Sequence, residues 1–315
     1  MIRITDRTLS CLDAFAPSGG ELRAFARNLV EIGADRIELS EYAYAAMGGL
    51  PEGGNYILRL KNAGDAAKYR EFDRFVCRAE TDIAHDGIIT EILINDIRER
   101  QTLTRYGGAG AVRIRGLDDV MLGNYANAFG QLREMFRDYA ELCPTNRGGC
   151  ATATAIEWIA AGGTDVVTSF GGIGGFAATE EVIMFLRLER VRRVGKSYPN
   201  FPEMRRAAEA ITGRSFSPSK PIIGARIFAV ESGIHVDGIM KQPKCYEPFP
   251  PEIVGQSRTI TLGRQSGASS IRAKLAERGI TAPPERVADL LSSVKERSIA
   301  ENRAVSDEEF FAMVR

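Results

Sequence analysis

The segment ESGIHVDG contains His235, one of only two histidines among 315 residues. An imidazole with an unperturbed pKa near ~6.5 can act as a general acid or base at neutral pH. Asp237 follows two residues later, and Gly233 and Gly238 lie on either side of this pair. A single histidine is more often structural than catalytic, so both interpretations remain open from these residues alone.

Polar side chains also follow the short apolar runs in the first two thirds of the chain. In a parallel barrel, residues at the carboxyl ends of the strands face the active site. Arginines at such positions suit a small anionic substrate, because the planar guanidinium pairs bidentately with a carboxylate. The alternative is that many of these residues are strand-end caps and salt bridges. The positions are Asp6, Cys11, Glu38, Arg59, Arg78, Asn95, Asp96, Asp118, Asp119, Cys143, Asn146 and Ser169.

Two glycine-rich turns precede predicted helices, GGIGG at Gly171–Gly175 and GRQSG at Gly263–Gly267. Glycine allows backbone amides to approach an anion at a helix N-terminus, which predicts a phosphate or carboxylate site. A tight connection between two elements explains either turn equally well.

The elements that position these residues alternate between short apolar runs and amphipathic stretches, which is typical of a parallel sheet wrapped by helices. Eight strands with intervening helices predict a TIM barrel. The third to fifth units are short for strand-helix pairs. The predicted strands are Arg3–Leu9, Arg36–Ser40, Tyr56–Leu60, Arg74–Ala79, Ile88–Ile94, Ala111–Arg115, Glu141–Cys143 and Asp165–Ser169. The predicted barrel helices are Gly20–Ile32, Asn124–Ala140, Ala151–Ala161 and Thr179–Arg192.

A change of composition after Arg192 predicts a second region. Proline- and serine-rich runs there prevent helix continuation. We therefore predict a barrel domain over residues 1–195 and a linker with a small helical subdomain over 196–315. The helices predicted in this region are Pro202–Thr212, Gly267–Glu277, Pro284–Glu301 and one opened by the capping box of Ser306 and Glu309.

Composition argues against several classes of partner. Lys+Arg and Asp+Glu number 41 each, so no net positive field attracts nucleic acid or anionic lipid. No apolar run approaches the ~20 residues that cross a bilayer, and the N-terminal residues lack the apolar segment of a signal peptide. The expectation is a cytoplasmic protein. Five scattered cysteines argue against a disulfide framework.

Longer runs of the sequence resemble a known family. The run ESGIHVDGIMKQPKCYEPFPPEIVG, continuing to TLGRQSGASSIRAKLAERGI, resembles the segment after the barrel in the homocitrate synthase and 2-isopropylmalate synthase family, with nitrogenase-associated homocitrate synthases nearest. Shorter matches upstream occur in order, among them ITDRTL, RIEL, CRAETDI and LDDVMLG. The resemblance spans nearly the whole chain and implies a TIM barrel with a small helical subdomain, usually in a dimer.

Family membership implies a reaction and roles for particular residues. Members condense acetyl-CoA with a 2-oxo acid, which a divalent metal polarises as a Lewis acid. The resemblance implies that His235 is a general acid or base donated across the dimer interface, and that Glu38 and Arg78 orient the substrate. The implied substrate-binding residues are Asn146, Ser169, Asp237 and Tyr246.

The metal motifs of the family are replaced in this sequence. After DRTL, Ser10 and Cys11 stand where the family has its arginine and metal-binding carboxylate, and Cys143 and Thr145 stand in place of two histidine ligands. Hard divalent cations need oxygen and imidazole donors, so we predict that the divalent metal is lost and expect no cofactor. Two alternatives concern Cys11 and Cys143, which either form a soft-metal site or redox pair, or are simply small buried side chains.

The sequence thus predicts a homocitrate synthase-like acyltransferase chain acting on acetyl-CoA and a 2-oxo acid, with 2-oxoglutarate as the first choice. It is expected to work as a non-canonical subunit, in a homodimer or in a hetero-oligomer with a canonical paralogue. One alternative is a catalytically silent member that acts as a binding or regulatory subunit. Another is a metal-independent enzyme of acyl thioesters or keto acids.

Overall fold

A computed structural model describes residues 1–79, 87–106, 110–118, 125–136, 139–189 and 198–314, apart from the side chains of Ile97 and Arg100. Asp119 and most of the run LDDVMLG lie outside these residues. The chain divides into two compact units. The first comprises Met1–Lys196 and Glu203–Phe216, and the second comprises Ser197–Pro202 and Ser217–Arg315.

Eight parallel strands close into a barrel in the first unit, which confirms the predicted TIM-barrel fold. All eight predicted strands are present. The largest difference is at the first, which ends at Asp6 rather than Leu9 because Thr8–Cys11 forms a helical turn. In order around the barrel, the strands are β1 (Arg3–Asp6), β2 (Arg36–Ser40), β3 (Tyr56–Arg59), β4 (Phe75–Arg78), β5 (Ile88–Ile94), β6 (Val112–Gly116), β7 (Ala140–Pro144) and β8 (Asp165–Thr168).

The helices of the first unit lie where apolar residues recur at three- and four-residue spacing. The prediction that one helix runs to Ala140 is wrong, because that residue begins β7. After strands β3 and β5, the chain forms 3-10 segments at Ala63–Lys68 and Ile97–Tyr106 instead of full α-helices. This accounts for the shortness of the third and fifth strand–helix repeats. The helices are α1 (Thr8–Cys11), α2 (Gly19–Glu31), α3 (Glu41–Met47), α4 (Tyr125–Met135), α5 (Ala151–Ala160), α6 (Thr179–Leu188) and α7 (Phe201–Thr212), whose first two residues belong to the second unit.

Local capping and aromatic packing fix these helices against the strands. Ser18 and Glu21 form a capping box at the start of α2. The ring of Phe25 on α2 packs edge-on against Phe170, with 5.7 Å between ring centroids. Trp158 on α5 is fully buried and donates its indole N–H to the backbone oxygen of Asp165 at 3.0 Å. These contacts hold the barrel strands that carry the polar residues.

Among its described residues, the second unit contains a short parallel pair, β9 (Ala229–Val230) and β10 (Thr259–Ile260), and four α-helices. The Ser306–Glu309 capping box is present, with Ser306 N–H donating to the Glu309 carboxylate at 2.9 Å. The segment around His235 is helical, which the sequence analysis did not predict, because glycine disfavours helix interiors. The helices are α8 (Gly233–Lys241), α9 (Ala268–Ala276), α10 (Pro284–Glu301) and α11 (Asp307–Val314).

The core of the second unit is formed mainly by α9, α10 and α11, around Ile271, Leu290, Val294 and Phe310. Among the described residues, no helix combines the length and apolar character that spanning a membrane requires.

Candidate functional site

The interior of the barrel is charged, and Glu38 lies at its centre. This carboxylate, on β2, is fully buried and accepts hydrogen bonds from Arg59 Nε at 2.7 Å and from Arg113 Nη1. Arg7 Nη2 lies 3.7 Å away, and Ser10 Oγ donates to the same carboxylate at 2.8 Å. Burial alone would raise the pKa of Glu38, but the three guanidiniums outweigh it and hold this pKa well below its usual value. Glu38 is therefore a fixed anion.

Neighbouring strands extend this ion-pair network towards the amino ends of the barrel. Fully buried Arg113 on β6 donates its Nε to Glu141 on β7 at 2.7 Å. Glu141 also pairs with Arg36 at 2.8 Å, and Arg36 reaches Asp165 on β8 at 3.2 Å. Strand register creates the chain of pairs, since Glu91, Arg113, Glu141 and Asp165 are partners across adjacent strands. Branched aliphatic residues usually fill these layers of a TIM barrel.

Arg7 contacts Cys143 and lies near Cys11, two positions at which the family resemblance implies metal ligands. Its Nη1 contacts the sulfur of Cys143 at 3.3 Å and Glu91 at 3.6 Å. Its guanidinium carbon lies 4.0 Å from the centroid of the Phe176 ring, a cation–π geometry. Cys11 packs against the cluster formed by Cys143 and Phe176. A permanent positive charge thus lies beside both cysteines.

The side chains at the family's ligand positions do not suit a divalent cation. Burial raises the pKa of Cys11 to about 11 and also raises the pKa of Cys143, although Arg7 acts in the opposite direction on both thiols. Thiol sulfurs are soft ligands, so they do not suit the hard divalent cations that the family resemblance implies. Thr145 donates its hydroxyl to Asp118 at 2.6 Å. Within the described residues, no group of three or more histidine, cysteine, aspartate or glutamate side chains forms a metal site.

Asp6 is a buried carboxylate near the carboxyl end of β1. It accepts a hydrogen bond from the backbone N–H of Thr8 at 2.8 Å and another from the Thr179 hydroxyl. Burial raises the pKa of Asp6 to about 6, against the opposing effect of these hydrogen bonds. Asp6 therefore titrates within the physiological range.

The other predicted residues of the first unit have different environments. Arg78 is exposed at the end of β4 and lines a cavity with Arg115. Asn146 is exposed and accepts a hydrogen bond from the N–H of Ala151 at 3.0 Å, at the start of α5. Ser169 is fully buried and donates to the oxygen of Ile173 at 2.6 Å. Both Asn146 and Ser169 thus have local structural bonds.

The Gly171–Gly175 turn makes its hydrogen bonds within the protein. The N–H of Gly171 donates to the Glu180 carboxylate at 2.8 Å, and the N–H groups of Gly172 and Gly175 bond to carbonyls of the same region. Gly171 has φ +65°, and a Cβ there would lie 2.4 Å from the Phe216 ring. These facts favour the tight connection over an anion site.

The predicted residues of the second unit cluster around α8. His235 is exposed, and its ring centroid lies 5.9 Å from that of Tyr246. Asp237 forms an ion pair with Lys241 at 2.7 Å. A Cβ at Gly238 would lie 2.2 Å from Tyr246, so glycine is required for this aromatic contact.

The glycines of the two longest family motifs bring α8 and α9 together. A Cβ on Gly233 would lie 2.6 Å from the Cα of Gly267, so the two backbones touch. Glu231 accepts a hydrogen bond from the N–H of Gln265 at 2.7 Å, and its own carbonyl accepts one from Ser270 at 3.1 Å. The GRQSG turn is explained by this packing, and the ring of His235 remains exposed.

Sequence reasoning missed Arg7, Glu91 and Arg113 as members of the network. The available signal was charge within otherwise apolar strands, such as the arginines of VRIRG. Which charges meet depends on strand register, which a single sequence does not define.

Comparison with known proteins agrees with this fold. Residues 222–303 match the family described as "Homocitrate synthase post-HMGL domain-like". The chain is 28% identical over 313 residues to the homocitrate synthase omega subunit of Clostridium pasteurianum, covering 93% of this chain and 89% of that protein. Homocitrate synthase 1 of Nostoc sp. is 34% identical, covering 65% and 56% respectively. For 2-isopropylmalate synthase 2 of Caldanaerobacter subterraneus, identity is 37%, covering 54% and 45%.

The predicted resemblance is therefore confirmed, and the chain is a relative of homocitrate synthases and 2-isopropylmalate synthases. The matches to the Nostoc and Caldanaerobacter proteins span about half of those relatives' own length. Among solved structures, hydroxymethylglutaryl-CoA lyase from Pseudomonas aeruginosa aligns with a TM-score of 0.53 and 15% identity, over 68% of this chain and 94% of that one. This likeness shows the shared barrel fold.

We predict that replacing Glu38 with glutamine destabilises the protein by about 3 kcal/mol, because removing one partner leaves buried guanidiniums uncompensated. Chemical denaturation of both proteins measures the difference. The matched control is Asp65→Asn, which removes the exposed Asp65–Lys68 pair and costs about 0.5 kcal/mol or less. Equal effects of the two substitutions would refute a central role for Glu38.

Asp6 generates a pH-dependent prediction. Folding raises the pKa of Asp6 to about 6, above its value in the unfolded chain. The protonated carboxyl therefore stabilises the folded protein at pH values below the unfolded-state pKa. This stabilisation is lost as the pH rises through about 6. Relative to Asp6→Asn, which does not titrate, the wild type should lose up to about 3 kcal/mol between pH 4 and pH 7. Denaturation curves across this range test it. A constant difference between the two proteins would show that Asp6 has an ordinary pKa.

Proposed function

We propose that this chain is a non-canonical subunit of a homocitrate synthase-type acyltransferase. In this proposal, condensation of acetyl-CoA with a 2-oxo acid, 2-oxoglutarate first, requires a partner chain that carries the metal ligands. The observation that carries the proposal is the guanidinium of Arg7, which contacts Cys143 at 3.3 Å where the family resemblance places a metal-binding residue.

Charge supports this assignment. Arg7 places a positive charge next to Cys11 and Cys143, and this charge would repel a cation bound by their sulfur atoms. Glu38 is engaged by Arg59 and Arg113, so it is not available as a ligand. The barrel fold therefore agrees with the family, whereas the charges around Cys11 and Cys143 differ from those that the family resemblance implies.

The exposed side of α8 supports a contribution to a partner's active site. Ile234 and Met240 are large apolar residues that are 79% and 69% exposed, and His235 is exposed between them in sequence. In the proposed complex, His235 acts as general acid or base, and Asp237 and Tyr246 contact the substrate beside it. The name of the Clostridium relative, an omega subunit, agrees with a hetero-oligomer.

The experiment compares this chain alone, a canonical homocitrate synthase paralogue alone, and their mixture, following thiol release from acetyl-CoA with 2-oxoglutarate, pyruvate or 2-oxoisovalerate. We expect no release from this chain alone, and more release from the mixture than from the paralogue alone. His235→Ala should abolish the increase without changing the unfolding midpoint. Glu296→Ala, at an exposed position on α10, should retain it.

Turnover by this chain alone would contradict the proposed division of labour. If the mixture releases thiol no faster than the paralogue alone, this chain would instead be a catalytically silent family member. That conclusion would hold whether or not the two chains bind each other.

A further inference from the structure

Two cavities lie at the carboxyl ends of the barrel strands, on either side of the Phe176 ring. One, of about 350 Å³, lies beside β4, β5 and β6 and has Arg115 in its wall. The other, of about 400 Å³, lies beside α1 and the Gly171–Gly175 turn and has Cys11 in its wall. The Phe176 ring centroid is 5.4 Å from the guanidinium carbon of Arg115, and Cys11 packs against the cluster that contains Phe176. The ring therefore stands between the two cavities.

Side chains from four consecutive strands surround the ring. The guanidinium carbon of Arg7, which follows β1, lies 4.0 Å from the ring centroid, and Arg115 belongs to β6. Cys143 on β7 and Val167 on β8 form the small buried cluster to which Phe176 belongs. Phe176 itself is 4% exposed. The ring thus covers the half of the barrel mouth that runs from β6 to β1.

The contact between the ring and Arg7 is one that the guanidinium can exchange. A guanidinium is attracted to an aromatic face, but it also forms strong hydrogen bonds to water and to anions. The Nε of Arg7 is buried and has no hydrogen-bond partner among the described residues. An unpartnered buried N–H is unfavourable, so the closed arrangement leaves part of the guanidinium unsatisfied. Displacement of the ring would allow Arg7 to bond to water or to an anion instead.

The loop that carries Phe176 has a backbone suited to movement. Four of its glycines have φ between +65° and +79°, a region that glycine adopts without strain. The N–H of Ser169 donates to the oxygen of Ala177 at 2.9 Å, which ties the two ends of the loop together. A movement of the ring is therefore confined to the loop itself. The four glycines are Gly171, Gly172, Gly174 and Gly175.

We infer that Phe176 is a gate at the barrel mouth. In the closed position its ring separates the two cavities and covers Arg7. When the ring moves away, the cavities join and the guanidinium of Arg7 becomes accessible from them. The gate thereby controls which molecules reach the buried charges of the barrel. The inference does not depend on the proposed function, because it involves neither a partner chain nor α8.

Alkylation of Cys143 by iodoacetamide, mapped by mass spectrometry, tests this inference, because this fully buried thiol lies in the same cluster as the ring. In the wild type we expect the alkylation rate to be nearly constant at low urea concentrations, since opening of the gate exposes little surface. A thiol that reacts only after global unfolding would instead show a rate that rises steeply with urea.

Phe176→Ala should raise the alkylation rate of Cys143 at least about tenfold, because the burial of the ring and its cation–π contacts are lost. Cys77 is the internal control, since this buried thiol on β4 lies outside the Phe176 cluster and reports general loosening of the barrel. Its rate should not change. Phe129→Ala, which removes a fully buried ring on α4, is the matched variant and should not raise the rate of Cys143 relative to Cys77.

The inference fails if Cys143 of the wild type reacts with the urea dependence of global unfolding. It also fails if Phe176→Ala leaves the rate of Cys143 unchanged or raises the rates of Cys143 and Cys77 by the same factor. Phe176 would also be an ordinary core residue if Phe129→Ala raised the rate of Cys143 relative to Cys77 as much as Phe176→Ala does.

Discussion

The buried ion pair between Glu38 and Arg113 is the interaction on which the rest of the barrel depends. Both side chains are fully buried, so each would be very unfavourable without the other. Arg113 also binds Glu141, and Glu38 also binds Arg59. The polar interior is therefore a connected set in which removal of one charge affects several neighbours.

This network also determines the chemistry of the barrel mouth. Arg7 is held by Glu38 and Glu91 on one side and lies over the Phe176 ring on the other. Its guanidinium contacts Cys143, a position at which the family resemblance implies a metal ligand. A fixed organic cation can bind and orient an anion, but it cannot supply the open coordination position of a metal.

Much of the fold was predictable from the sequence, because each barrel strand is a short apolar run between helical patterns. β2 and β5 have the predicted ends. The family resemblance was also predictable, from the runs around His235 and Gly267. The helix α8 was not, since its two glycines obscure a helical pattern that close backbone packing stabilises. The ion-pair network was not either, because partners such as Arg36 and Glu141 are 105 residues apart.

The central claim is that Arg7 and its network have replaced the divalent cation at the barrel mouth. Elemental analysis of the purified chain, after incubation with excess magnesium, manganese or zinc and then dialysis, tests it most directly. The account predicts that retained metal stays well below one equivalent per chain. Retention of one equivalent that disappears when Cys11 and Cys143 are replaced by alanine would contradict it.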